Sequence, residues 1–572
     1  MNWLDIVRFA VFLGVLTILV KPVGSYLARV FGRERTWLDP ILLPVERAVH
    51  RIAGSDPEDE MEWGRYATAF VVFTAAGTLL LYGLLRVQRL LPWSGHVTGA
   101  MAPDLAMNTA ISFATTTTWQ AYAGETSMSY VSQLAGLMLQ NFLAGAAGLA
   151  VGIAFIRGLA REQSTKLGNF WGDLIRSILW VLLPAALVVS VILLACGVPM
   201  NFSKYVTARG LEGGAQTIPG GPIAAFESIK NLGTNGGGFF NANGAHPFES
   251  PTPFTNLLHM LAIAVIPAAL TYTFGSLTGR RKQGWVLYAV MFALFVAGLI
   301  ACDVFERRGP PLPGAAHAAA AMEGKEVRFG IADSVLTAVT TSNGATGSYA
   351  AMVDSMTPLG GAVVLINMLL GEIAFGGLGT GVISLVMTLL LAVFIGGLMV
   401  GRTPEFLGQH VGPRETKLIV LYTIAGPAAV LIPTAIAVVT RAGLAGLTMN
   451  GGAHGLTEIL FAFASSFANN GQNMAGLNAN TPFYNVATAV VMMAGRFGLL
   501  IPALALAGRF GRQKSRPHTA GTLETDTPLF AMLLLGVVML TGALTYLPAL
   551  CLGPVHEQLS AGIHAHDNDR PR

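Results

Sequence analysis

The sequence predicts an all-α polytopic membrane protein. About ten transmembrane helices form four pseudo-fourfold helix–pore loop–helix repeats, with one flanking helix at each end. Three observations predict this. Hydrophobic residues are 53% of the 572-residue chain and charged residues 12%, about half the ~25% charged share of soluble domains; mean hydropathy is +0.58. Several apolar runs exceed the ~18–20 residues that cross a bilayer. Between these runs, four stretches rich in Thr, Ser, Asn and Gly recur at equivalent places.

The chain reads as one membrane domain, 1–572. An N-terminal helix, 4–20, meets Lys21-Pro22 without a small-residue cleavage site, so it is a retained helix and not a signal peptide. A polar segment with Arg29, Arg33, Arg35, Arg47 and Arg51 follows. Repeat 1 (64–157) has two apolar runs around the polar stretch 104–125 and ends at Arg157 and Arg161. Repeat 2 (173–279) encloses a glycine-rich stretch and ends before Arg280-Arg281-Lys282. Repeat 3 (283–402) has a polar segment near Thr340 and a long apolar run ending at Arg402. Repeat 4 (415–508) has its polar segment near Asn469 and precedes Arg509, Arg512, Lys514 and Arg516. A C-terminal helix, 527–552, precedes a tail rich in His, Asp and Arg. Every second loop is short and basic, which by the positive-inside rule predicts both termini outside.

The four outer segments are Ser112-Phe-Ala-Thr-Thr-Thr-Thr-Trp-Gln120, Leu232-Gly-Thr-Asn-Gly-Gly-Gly238, Thr340-Thr-Ser-Asn-Gly-Ala-Thr346 and Ser465-Ser-Phe-Ala-Asn-Asn-Gly471, each preceded by a helix-compatible run. Irregular backbone at membrane depth survives where it is buried in protein or lines a wet cavity. A short helix ending at each loop aims its negative dipole end at the centre. Four such loops around one axis make rings of carbonyl oxygens of the kind that replace an ion's hydration shell. The loops contain no carboxylate, which a divalent cation would call for; the pattern therefore points to K+. The predicted filter comprises Thr115, Thr116, Thr117 and Thr118; Thr234, Asn235, Gly236 and Gly237; Thr341, Ser342, Asn343 and Gly344; and Asn469, Asn470 and Gly471. Gln120 falls at the filter mouth or is an ordinary interfacial glutamine.

Two charges lie deep in apolar runs. Glu372 is fourteen residues past Pro358 and Arg496 fourteen past Pro482. At 1.5 Å per residue both fall ~21 Å down their helices, facing each other beneath the filter. An intramembrane charge is a functional hypothesis by default; a purely structural ion pair joining repeats 3 and 4 is the other reading. Gly371-Glu-Ile-Ala-Phe-Gly-Gly-Leu-Gly-Thr-Gly381 interrupts an apolar run too long for one span. It predicts a broken helix whose loop, with Gly376, Gly377 and Gly379, forms a gate or a block under the filter. Cys196, Cys302 and Cys551 lack metal or disulfide spacing. The net charge of +4 carries no nucleic-acid signal, and His96, His246, His259 and His454 are too scattered for an intramembrane lipid enzyme.

The stretches LGTNGGGFFNAN (232–243), AHPFE (245–249), MEGKEVRFG (322–330), GEIAFGGLGTG (371–381), GRTPE (401–405) and NNG…GLNANTPF (469–483) resemble the potassium-binding-subunit family of bacterial Kdp potassium-transporting ATPases, within the superfamily of potassium transporters. The resemblance covers essentially the whole chain. It implies high-affinity capture of external K+ in a bacterial plasma (inner) membrane. The ion then passes sideways through an intramembrane tunnel to the P-type ATPase subunit KdpB, with KdpC and the small subunit KdpF completing the complex. It also implies that Glu372 and Arg496 border a vestibule under the filter and that Arg402 sits at the cytoplasmic end. The family's first loop commonly reads T-N-T-N-W-Q, where this chain has Thr115-Thr-Thr-Thr-Trp-Gln120, so any role of those asparagine side chains has no counterpart here. The chain carries no Asp-Lys-Thr-Gly phosphorylation motif and no Walker loop, which agrees with a subunit that binds no nucleotide. The competing reading is a channel-like K+ uptake subunit of Trk/Ktr type driven by membrane potential. The broken third inner helix, the ten spans and the 322–330 loop favour the ATPase subunit.

Overall fold

The computed structural model describes residues 3–97, 99–308, 322–517 and 522–560; the predicted tail from 561 onward lies outside them. Ten helices among the described residues are long and apolar enough to cross a membrane. The first, α1 (Trp3–Phe31), is eleven residues longer at its C-terminal end than the 4–20 expected. Lys21 is exposed on it and Pro22 lies within it. What carries the helix past both is packing. A Cβ on Gly24 would lie 2.7 Å from the Ala269 carbonyl, and Thr273 Oγ1 donates to the Gly24 carbonyl (3.1 Å), a close helix approach that only a small residue permits. The amphipathic α2 (Asp39–Ala53) lies off the bundle, held where Arg176 binds Glu46 (2.9 Å) and the Val30 carbonyl (2.8 Å).

The bundle then repeats one unit four times. Its first pass is α3 (Trp63–Val87), the short α4 (Pro103–Ala114) and α5 (Ser132–Ala160). The second is α6 (Phe170–Ala195), α7 (Ile223–Leu232) and α8 (Pro253–Leu277). The third is α9 (Arg281–Arg308), α10 (Gly330–Asn343) and an inner helix in two pieces, α11 (Pro358–Leu369) and α12 (Thr380–Met399). The fourth is α13 (Pro413–Val439), α14 (Gly452–Phe467) and α15 (Pro482–Arg512), and the kinked α16 (Pro528–Ser560) closes the chain. Antiparallel two-stranded ribbons trim the loops, for example Val206–Arg209 on Ala215–Ile218 with Val206 opposite Ile218.

The second long helix of each unit is the inner one. Burial covers 61–83% of the apolar windows of α5, α8, α12 and α15, against 22–39% for α3, α6, α9 and α13. The inner helices are apolar all round, as helices enclosed on every side must be, whereas the outer four leave broad apolar faces to lipid. Three inner helices start alike. Thr252, Thr357 and Thr481 each cap a helix whose first residue is proline, accepting from the amides of Thr255, Gly360 and Tyr484 at 3.0–3.3 Å. A side-chain oxygen at the cap satisfies an orphan amide, and proline at the first position gives up none. The core is thus a four-sided shaft of inner helices, with α4, α7, α10 and α14 entering it from one end.

Candidate functional site

The entering helices have 12, 10, 14 and 16 residues, roughly 15–24 Å at 1.5 Å per residue, too short to cross. They end at Ala114, Leu232, Asn343 and Phe467, and the four residues after each make the loops at the centre of the shaft. Left-handed backbone recurs in them: Thr116 (φ 68°), Thr118 (49°), Thr234 (48°), Gly347 (57°), Asn469 (53°) and Gly471 (93°). Outside glycine this conformation costs ~1–2 kcal/mol per residue, strain that clusters where function demands it.

Gly236 faces the common centre. A methyl group there would lie 2.5 Å from the Thr346 carbonyl oxygen, 2.7 Å from that of Asn470 and 2.7 Å from Thr118 Oγ1. Oxygens from the other three loops therefore converge on one point beside the second. Cβ atoms on Gly347 and Gly471 would run into the carbonyls of Asn470 and Thr117. At the mouth, Gln120 clamps loop 1 to loop 2: its Nε2 donates to the Gly238 carbonyl (3.1 Å) and its Oε1 accepts from the Gly238 amide (2.9 Å). Loop 4 ties to loop 1 through Asn469 Nδ2 and Thr117 Oγ1 (2.9 Å). It ties to loop 3 through Asn470 Nδ2 and the Thr341 carbonyl (2.7 Å). Asn235 Nδ2 donates outward to the Asn141 carbonyl of α5 (2.8 Å). Asn469 and Asn470 thus lace the ring together sideways, and Asn235 ties it to the inner helix. An outer vestibule of about 570 Å³ opens above, lined by Thr118, Gln120, Asn243, Tyr349, Gly471 and Asn473 among others. Beyond Ala245 in the chain, His246 stacks on Phe240, and burial, aided by Arg328, lowers its pKa to about 4, so the imidazole is neutral there.

Loop 3 departs from the sequence expectation. Thr341, Ser342 and Asn343 lie inside α10, with side chains donating to the carbonyls of Thr337, Val339 and Val339 (2.8, 3.2 and 2.9 Å). The Gly344 amide still bonds the Thr340 carbonyl (3.0 Å), and its own carbonyl accepts from Asn470 Nδ2 (3.1 Å). The irregular turn thus comes three residues later, and the oxygen beside the Gly236 position belongs to Thr346. A buried cluster behind loop 2 was also missed. Glu249 accepts from the amides of Phe239 (2.9 Å), Phe240 (3.1 Å) and Gly244 (2.6 Å), while Lys230 Nζ joins Glu227 to Asn243 (2.9 Å each). The glutamate ending the AHPFE stretch was its signal in the sequence.

Beneath the ring, α11 stops at Leu369 and α12 starts at Thr380. Glu372 therefore sits off the helix, in left-handed backbone (φ 55°), and its Oε1 has no hydrogen-bond partner. The helical depth count fails for it and holds for Arg496, which lies within α15. Among the described residues the two form no ion pair. Arg496 turns instead to Thr116 Oγ1 (3.1 Å) and the Ala144 carbonyl (2.9 Å), over the Phe70 ring. The intervening loop lies directly below the ring: the Leu378 amide donates to Thr234 Oγ1 (2.9 Å), and a Cβ on Gly377 would touch Ala345. A Cβ on Gly379 would strike the Gly148 carbonyl of α5, and one on Gly376 the Glu372 carbonyl. Arg402 is exposed at the opposite end of α12, Nη1 facing the Thr522 carbonyl (3.4 Å).

Fold and site together define a multi-pass membrane protein with four pore loops in a single chain. The same fold occurs in the crystal structure of the potassium transporter TrkH from Vibrio parahaemolyticus, with a TM-score of 0.52 over 88% of this chain and 98% of that one, at 14% identity. The chain belongs to the potassium-transporting ATPase A subunit family, whose model matches residues 10–559. Relatives named "potassium-transporting ATPase potassium-binding subunit" include proteins of Mesorhizobium japonicum (48% identity) and Brucella anthropi (47%), each aligned over 98% of both chains.

Proposed function

We propose that this chain is the potassium-binding, channel-like subunit of an ATP-driven K+ import complex in a bacterial plasma membrane, with both termini outside. K+ enters the vestibule and sheds its water in the ring formed by Thr116–Thr118, Thr234–Gly237, Ala345–Gly347 and Asn469–Gly471. It then passes beneath the filter, past Glu372 and Arg496, into an intramembrane tunnel toward a P-type ATPase subunit, KdpB, with KdpC and KdpF completing the assembly. The carrying observation is the convergence of three neutral oxygens, 2.5–2.7 Å away, on the point a Gly236 methyl would fill. Neutral oxygens replacing a hydration shell suit a large monovalent ion. The glycines at 376, 377 and 379 let the loop below close under the ion, so that it leaves sideways. ATP chemistry belongs to the partner. The names of relatives at 47–48% identity favour this reading over a Trk-type uptake subunit.

Gly236→Ala tests the reading. Potassium-stimulated ATP hydrolysis in the assembled complex should need at least ~100-fold more K+, about 2.8 kcal/mol of lost binding. An unchanged K+ dependence with the complex intact would remove the ring from the mechanism.

A further inference from the structure

A second polar cluster lies on the vestibule side, away from the shaft. His454 and Glu458 stand one turn apart on α14, so their side chains share a face. Asp354 comes from the 3-10 turn Val353–Ser355 just before α11, and Glu557 from the end of α16. His454 Nδ1 meets Glu557 Oε1 at 2.8 Å; Nε2 lies 3.1 Å from Asp354 Oδ1 and 3.6 Å from Glu458 Oε1. Three carboxylates thus surround one imidazole, and no lysine or arginine among the described residues pairs with them. With all three carboxyls ionised, even a protonated imidazole leaves the group two negative charges in excess. Glu458 is fully buried, and its Oε2 has no hydrogen-bond partner. Its Oε1 accepts from Asn450 Nδ2 (2.8 Å), a neutral donor, so the buried carboxylate keeps one costly unpaired oxygen and the cluster is short of positive charge.

The geometry identifies what would supply it. Two carboxylate oxygens face the same ring nitrogen, so either an Nε2 proton or a cation lies between them. The three atoms Asp354 Oδ1, His454 Nε2 and Glu458 Oε lie within 4.8 Å of one another. Ligands ~2.0–2.2 Å from a tetrahedral zinc sit roughly 3.3–3.6 Å apart, close to the 3.1 and 3.6 Å separations about Nε2. The other ring nitrogen bonds a carboxylate, the arrangement that fixes the tautomer of metal-binding histidines.

We propose that Asp354, His454 Nε2 and Glu458 bind one divalent transition-metal cation of the zinc class, with Glu557 orienting the imidazole. The ion joins the end of α16, the fourth pore helix and the start of the broken inner helix.

The test uses the assembled complex purified on a histidine-free tag, stripped with chelator and titrated with zinc chloride, with bound metal counted by mass spectrometry. The wild type should hold about one more zinc per complex than His454→Ala or Glu458→Gln, and Glu557→Gln should weaken binding about 10–100-fold. Glu458→Gln keeps shape and volume, so it carries the comparison if His454→Ala does not assemble. Equal zinc content in the wild type and Glu458→Gln, whether none or one, would overturn the site and leave the cluster as a protonated-histidine ion network.

Discussion

The inner helices of units 3 and 4 begin alike and end differently. Both open at a Thr-Pro cap and carry a charge fourteen residues on. Yet α15 runs unbroken for 31 residues, while the third unit stops at Leu369 and resumes at Thr380. Above, loops 3 and 4 are laced to each other and have left-handed glycines at matching positions, Gly347 and Gly471. Below, one unit offers a rigid guanidinium already engaged with repeat 1, the other a carboxylate on irregular backbone with an unpartnered oxygen. The chain keeps its quarters alike in the ring and lets them diverge beneath it.

That division can be broken by experiment. The largest effect is expected in the ring: Gly347→Ala and Gly471→Ala should each raise the K+ concentration for half-maximal ATP hydrolysis at least ~100-fold, by forcing a side chain into left-handed backbone against a carbonyl. Tolerance of either one alone would deny the likeness of the two loops. Next comes Arg496→Met, which strips charged donors from Thr116 and Ala144 and should cost ~1.5–3 kcal/mol, read as at least a tenfold loss of K+-stimulated turnover. Gly379→Ala, at φ 83° against α5, should lower thermal stability of the complex by ~1–2 kcal/mol and slow turnover more than it changes apparent K+ affinity. Smallest is Gly344→Ala. That residue has ordinary φ, and an added methyl would meet Ile263 at 3.1 Å and Thr346 Oγ1 at 3.3 Å, so K+ affinity should shift less than about twofold. A large effect there would restore the loop register first expected from the sequence.

That register shows how far the sequence was legible. Membrane class, ten spans, the four short entering helices and the break at 371–381 all followed from hydropathy, loop composition and glycine runs. Loop 3 did not, because Asn343-Gly344 mimics Asn235-Gly236 while its backbone is still bonded into a helix, and no local composition distinguishes the two. The extent of α1 was hidden for the opposite reason. Lys21-Pro22 signals an end, and only the approach of Gly24 to Ala269 on a helix some 245 residues away (269 − 24) overrides it. The partners of Arg496 were equally out of reach, since they arise from which neighbour the side chain turns to. The Glu227–Lys230–Glu249 cluster behind loop 2 was missed, because its bonds to the loop amides and to Asn243 form only when the loop is folded.

The covalent joining of the four quarters has a consequence for what selection can try. In a pore assembled from four copies of one gene product, a substitution at the position of Glu372 would appear four times, setting like charges around one axis. Here each quarter is written separately, so Glu372, Arg496 and the severed third helix each occur once. A mutation can alter the segment beneath the ring in one quarter and leave the other three quarters untouched.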